Sequence, residues 1–149
     1  MKKHFFLLPV IFFLSTLFFA FTDKKGGDVF QLFLNEKQVH QQFVRADNSV
    51  KKLHLSSVNG NDNIGVMYSH CGYAGKGRVI TLRNEKEEVI RTLKFPDVAN
   101  NQARMNFSIK ELMKFKSNTM RLYYSSKELS TAKLLATISW RNEQSVAKN

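Results

Sequence analysis

From residue 29 onward apolar and polar residues alternate along the chain, and turn-forming residues interrupt the alternation about every ten positions. Successive side chains of a strand point to opposite faces, so a period of two selects sheet over helix. Val29–Leu34 places Phe30, Leu32 and Leu34 on one face. Val39–Val44 follows after the polar turn Asn35-Glu36-Lys37. Leu53 and Leu55 alternate with Lys52, His54 and Ser56. Asn59-Gly60-Asn61-Asp62-Asn63 is a turn, since Asn, Asp and Gly tolerate positive φ. Ile64–Ser69 is almost free of charge and is expected in the middle of a sheet.

The second half repeats the pattern. Arg78–Arg83 and Val89–Phe95 form a hairpin around Asn84-Glu85-Lys86-Glu87, ended by Pro96-Asp97. Arg104–Ser108 puts Met105 and Phe107 inward. Ser108 with Glu111 three residues on fits a capping box, and predicts a short helix over Ile109–Phe115 with Leu112, Met113 and Phe115 as its apolar contacts. Thr119–Ser125 and Lys133–Arg141 are the last strands, the latter with Leu134, Ala136, Ile138 and Trp140 facing the core. The expectation is an all-β fold: an antiparallel β-sandwich of about eight to nine strands with one short helix, the alternative being an open β-barrel.

The first 22 residues obey a different rule. Lys2 and Lys3 precede an apolar run, Phe5–Phe21, broken only by Ser15 and Thr16, and no acidic residue occurs before Asp23. Ala20 and Thr22 are the small residues at −3 and −1 of a cut before Asp23. This is the pattern of a cleavable signal peptide. The run would reach about 25 Å as a helix, just short of the roughly 30 Å hydrocarbon core, so an uncleaved membrane anchor is the alternative. The expected organisation is a signal at 1–22, a flexible lead-in at 23–28, one sandwich domain at 29–141 and a polar tail at 142–149. The expected location is secreted or periplasmic, with membrane contact only through an uncleaved signal.

Removing the signal takes two lysines and no acid, leaving 21 cations against 12 carboxylates, a net +9. Such a charge favours acidic partners, an envelope protein or an acidic glycan, but the basic residues are spread along the chain rather than grouped. Nucleic acid is not the expected partner. Cys71 is the lone cysteine, so an intrachain disulfide is excluded and the fold must rest on its core.

The most unusual stretch is Tyr68-Ser69-His70-Cys71-Gly72-Tyr73-Ala74-Gly75-Lys76-Gly77-Arg78. Gly72, Gly75 and Gly77 make a pliable loop between strands, with Lys76 and Arg78 adding charge. Successive backbone N–H groups in such a loop can form a nest for an anion. It is not a Walker loop, because Gly77 rather than Ser or Thr follows Lys76 and a strand follows the loop. The candidate ligand-binding residues are therefore His70, Cys71, Gly72, Tyr73, Gly75, Lys76, Gly77 and Arg78. His70-Cys71 also carries two alternatives: a thiolate–imidazole pair, or metal ligation helped by His40 or His54. Adjacent strand residues point apart, and the metal spacing is wrong, so no catalytic residue, metal or cofactor is assigned.

Other features read as scaffold. Tyr124 and Trp140 share faces with core residues, while Tyr123 points outward with Arg121. Glu85, Glu87 and Glu88 lie in a turn among cations, where solvated carboxylates are expected. Asn59–Asn63 lacks the acidic ligands of a calcium loop. The functional expectation is a non-catalytic binding or interaction module at the cell envelope. The alternative is a small enzyme, or a metal- or anion-binding protein, using the His70-Cys71 loop.

Overall fold

The computed structural model describes residues 27–44, 52–99, 103–115 and 119–142. The signal segment, residues 23–26 of the lead-in and residues 143–149 of the tail lie outside them. The described residues form nine strands and one helix: β1 (Val29–Leu34), β2 (Lys37–Phe43), β3 (Lys52–Val58), β4 (Asn63–Ser69), β5 (Val79–Arg83), β6 (Val89–Lys94), β7 (Met105–Ser108), α1 (Ile109–Met113), β8 (Thr119–Ser125) and β9 (Lys133–Asn142). They make two sheets, ordered β2-β1-β4-β7 and β3-β9-β8-β5-β6. No strand pairing joins the sheets into a closed barrel among the described residues; the fold is an all-β sandwich.

Alternation decides the inner faces. β8 and β5 bury every second residue. Ile80, Leu82, Met120, Leu122, Ala136, Ile138 and Trp140 of the five-stranded sheet share one core with Phe30, Leu32, Ile64, Val66 and Met105 of the four-stranded sheet. β4 is buried along most of its length because it pairs with β1 on one side and β7 on the other. This matches its lack of charge. Ile109 and Leu112 of α1 plug the same core.

Several local expectations are corrected. The turn before β2 uses two residues, not three: Asn35 and Glu36 both adopt positive φ, and Lys37 already pairs with Leu34. That geometry matches the twist of a two-residue hairpin. The helix stops at Met113 with Lys114 as its cap, and Phe115 is exposed. Beyond the cap Phe115 no longer follows the helical period that carries Ile109 and Leu112 into the core. In β9 the register shifts so that Leu122 opposes Ala136 but Tyr123 opposes Leu134. The extra residue, Leu135, is buried, while Leu134 is only partly so. A bulge of one residue reverses which face the following residues take. Every pairing is antiparallel except β3 with β9, which is parallel. β9 also extends through Asn142, taking the first residue of the expected tail.

Leu122 is fully buried, whereas Val89 on the edge strand β6 is 57% exposed. Leu122→Ala is expected to cost about 2–5 kcal/mol in chemical denaturation, and Val89→Ala no more than about 0.5 kcal/mol.

Candidate functional site

The 70–78 loop begins as a tight turn. His70 and Tyr73 exchange backbone hydrogen bonds of 2.8 and 3.2 Å, and the two residues between them, Cys71 and Gly72, have φ of 50° and 101°. Glycine takes that region freely, while Cys71 does so against its Cβ. The turn directs the His70 ring inward and leaves Cys71 and Tyr73 in solvent.

His70 lies between the sheets with its side chain 4% exposed. Nδ1 is 3.3 Å from Oδ2 of Asp28, immediately before β1. Nε2 is 3.2 Å from the Tyr124 hydroxyl on β8 and 3.1 Å from Oγ of Ser126, just after it. Tyr68 of β4 donates its hydroxyl to the same Asp28 oxygen at 2.8 Å, and its ring stacks on Tyr124 at 4.1 Å. Burial, followed by the Asp28 hydrogen bond, pushes the Tyr68 phenol up; burial does the same to Tyr124. Both therefore stay neutral.

The loop's backbone donors are engaged from within. Gly72 N–H donates to Ser69 Oγ at 3.0 Å. Lys76 N–H donates to both carboxylate oxygens of Glu128 at 3.0 Å. Gly77, at φ 60°, donates to Asp97 Oδ1 at 2.6 Å. The nest expected for an external anion is thus occupied by the protein's own carboxylates. Arg78 is corrected in the same way. It is buried, not displayed, and its guanidinium donates to Pro96 O at 2.7 and 3.2 Å and to Ala103 O at 3.0 Å. Gly75 is buried so tightly that a Cβ there would lie 2.6 Å from His70 Nε2, 2.7 Å from the Tyr124 hydroxyl and 2.8 Å from Glu128 Oε2.

The thiolate–imidazole pair does not form, since Cys71 Sγ instead points toward Asp28 Oδ1 at 3.7 Å. His40 and His54 are not brought to the loop: they sit beside Gln42 and Ser139 respectively. Among the described residues no group of three His, Cys, Asp or Glu is placed to hold a metal ion. The order Asp28–His70–Ser126 has the connectivity of a base-activated nucleophile. However, Ser126 is buried, its hydroxyl also bonds Glu128, Tyr124 shares Nε2, and the Gly75 backbone packs directly against the site. A reacting carbonyl has no approach to it. The cluster works as a clasp.

Sequence reasoning missed Asp28, Asp97, Tyr124, Ser126 and Glu128 as partners of the loop. Asp28 was expected in the flexible lead-in, yet it is half-buried and also accepts the Val44 N–H at 2.8 Å through its backbone carbonyl. Glu87, expected to be solvated, instead takes Arg121, Arg83 and the Tyr123 hydroxyl. No family model, curated protein or solved structure matches this chain.

Two outcomes follow from this geometry. Arg78→Ala removes a buried guanidinium and its hydrogen bonds to Pro96 O and Ala103 O and is expected to cost about 1.5–3 kcal/mol in denaturant unfolding, while Lys76→Ala, whose loop contact is made by the backbone, is expected to be near neutral. Burial works upward on the Glu128 carboxyl, but hydrogen bonds from Ser126 and Lys76 N–H outweigh it and hold the pKa below its ordinary 4.5. Its contribution is therefore fully present above the unfolded carboxylate range and is lost as pH falls through the folded pKa. Thermal melts across the acid range should show a shallower pH dependence in Glu128→Gln than in the parent.

Proposed function

We propose that this chain is an exported, non-catalytic binding module of the cell envelope, and that the end of the sandwich carrying the 70–78 loop meets a protein partner. The observation that carries the reading is the division of labour within the loop. His70, Arg78 and the N–H groups of Gly72, Lys76 and Gly77 all bond inward. Cys71, Tyr73 and Lys76 are held outward.

Tyr73 is 53% exposed. It is fixed by its two backbone bonds to His70 and by stacking of its ring on the imidazole at 5.7 Å. An exposed aromatic ring that is already immobile loses little entropy on binding, which is what a contact residue of a protein interface requires. Lys76 beside it supplies a cation suited to an acidic partner surface. Export is supported by Lys2, Lys3, the apolar run Phe5–Phe21 and the small residues Ala20 and Thr22. No helix of the described residues is long and apolar enough to cross a membrane.

The test is cross-linking of the tagged protein in its native cells, followed by affinity measurement against the recovered partner. Tyr73→Ala is expected to weaken the complex by about thirtyfold with an unchanged circular dichroism spectrum. Undiminished binding by a folded Tyr73→Ala, Lys76→Ala double variant would remove the loop end from the interface.

A further inference from the structure

The outer face of the five-stranded sheet carries a second surface that none of the loop chemistry uses. A groove of about 430 Å³ is lined there by Lys52, Glu85, Thr119, Arg121, Thr137 and Ser139. It lies toward the Thr119 end of β8, while the loop lies beyond Ser125. From Thr119 to Ser125 the strand runs roughly 20 Å.

Strand register explains why these residues meet. Lys52 opposes Thr137, Thr137 opposes Arg121, and Arg121 opposes Arg83. In the neighbouring row His54 opposes Ser139 and Ser139 opposes Thr119. Residues opposite one another share a face, and strands lie about 4.8 Å apart. The first row therefore sets a lysine and an arginine about 10 Å apart with a hydroxyl between them. The second row is hydroxyls and an imidazole, His54 Nδ1 lying 3.1 Å from Ser139 Oγ. Glu87 bonds both Arg121, which lines the groove, and Arg83, which follows it in the first row.

We propose that this groove binds an anionic oligosaccharide. Lys52 would meet its carboxylates, with Arg121 reaching them alongside its Glu87 partner; Thr137, Ser139 and Glu85 would exchange hydrogen bonds with its ring hydroxyls. The volume falls in the range of ligand sites. The lining has no apolar anchor of the kind that dominates protein interfaces. Nor does it offer a stacking platform for bases: the Tyr123 ring nearby is covered by Arg83 at 4.7 Å, and its hydroxyl is held by Glu87. Glu85 and Glu87 also oppose the dense charge of a polyphosphate backbone. A sugar chain with occasional carboxylates and many hydroxyls matches both the mixed charge and the row of Thr and Ser.

The site is independent of the loop end, and the test separates them. Purified full-length protein is titrated calorimetrically at low salt with a uronide hexasaccharide in which uronic acid alternates with neutral sugar, and with a neutral glucose hexamer for comparison. The uronide is expected to bind saturably, at least about tenfold tighter than the neutral chain. Thr137→Glu, which places a carboxylate between Lys52 and Arg121, is expected to weaken the uronide by about tenfold or more. Lys52→Glu should do the same, and serves if Thr137→Glu does not fold. Tyr73→Ala should leave uronide binding unchanged. The proposal is overturned by absence of uronide binding, by equal affinity for the neutral chain, by undiminished binding in folded groove variants, or by loss confined to the Tyr73 variant.

Discussion

His70 turns Nδ1 to Asp28 at the start of β1 and Nε2 to the hydroxyls of Tyr124 and Ser126 at the end of β8, so one imidazole ties the two sheets together. Buried polar groups are costly unless each finds a partner. Here each ring nitrogen has one, and Tyr68, stacked on Tyr124, completes the link through Asp28. The arrangement leaves no volume for a side chain at residue 75. It also sets the direction in which Cys71 and Tyr73 leave the sheet.

Much of the sandwich was legible in the sequence because alternation is a local signal that burial reinforces. β8 buries every second residue, as its alternation predicts; β1 keeps that order through Leu32 and then buries Phe33 as well, where its register with β2 shifts, and β4 is buried along most of its length. What alternation cannot encode is phase across an irregularity. Leu135 is apolar like its neighbours, and only the pairing of β8 with β9 decides that it turns inward. The parallel contact of β3 with β9 joins segments about eighty residues apart, and a one-dimensional pattern holds no trace of it.

The loop shows the same limit in chemical form. Its composition suggested backbone donors aimed at an external anion, whereas the N–H groups of Lys76 and Gly77 meet Glu128 and Asp97 of the same chain. Arg78 looked available because cations are usually solvated; two carbonyls, Pro96 O and Ala103 O, hold it inside. Asp28 stands at the edge of a Gly-rich lead-in and carries no sign of its partners 40 or more residues away. Long-range hydrogen bonds are made between residues whose local sequence is indifferent to them.

β9 is the last of the described strands, yet it lies inside its sheet, flanked by β3 on one side and β8 on the other. Until residues 133–142 arrive, β3 has no neighbour in that sheet and β8 has one open edge. The core residues Ala136, Ile138 and Trp140 are missing over the same interval. The four-stranded sheet can pair without β9, but the five-stranded sheet covers its side of the core only once residues 133–142 join β3 to β8.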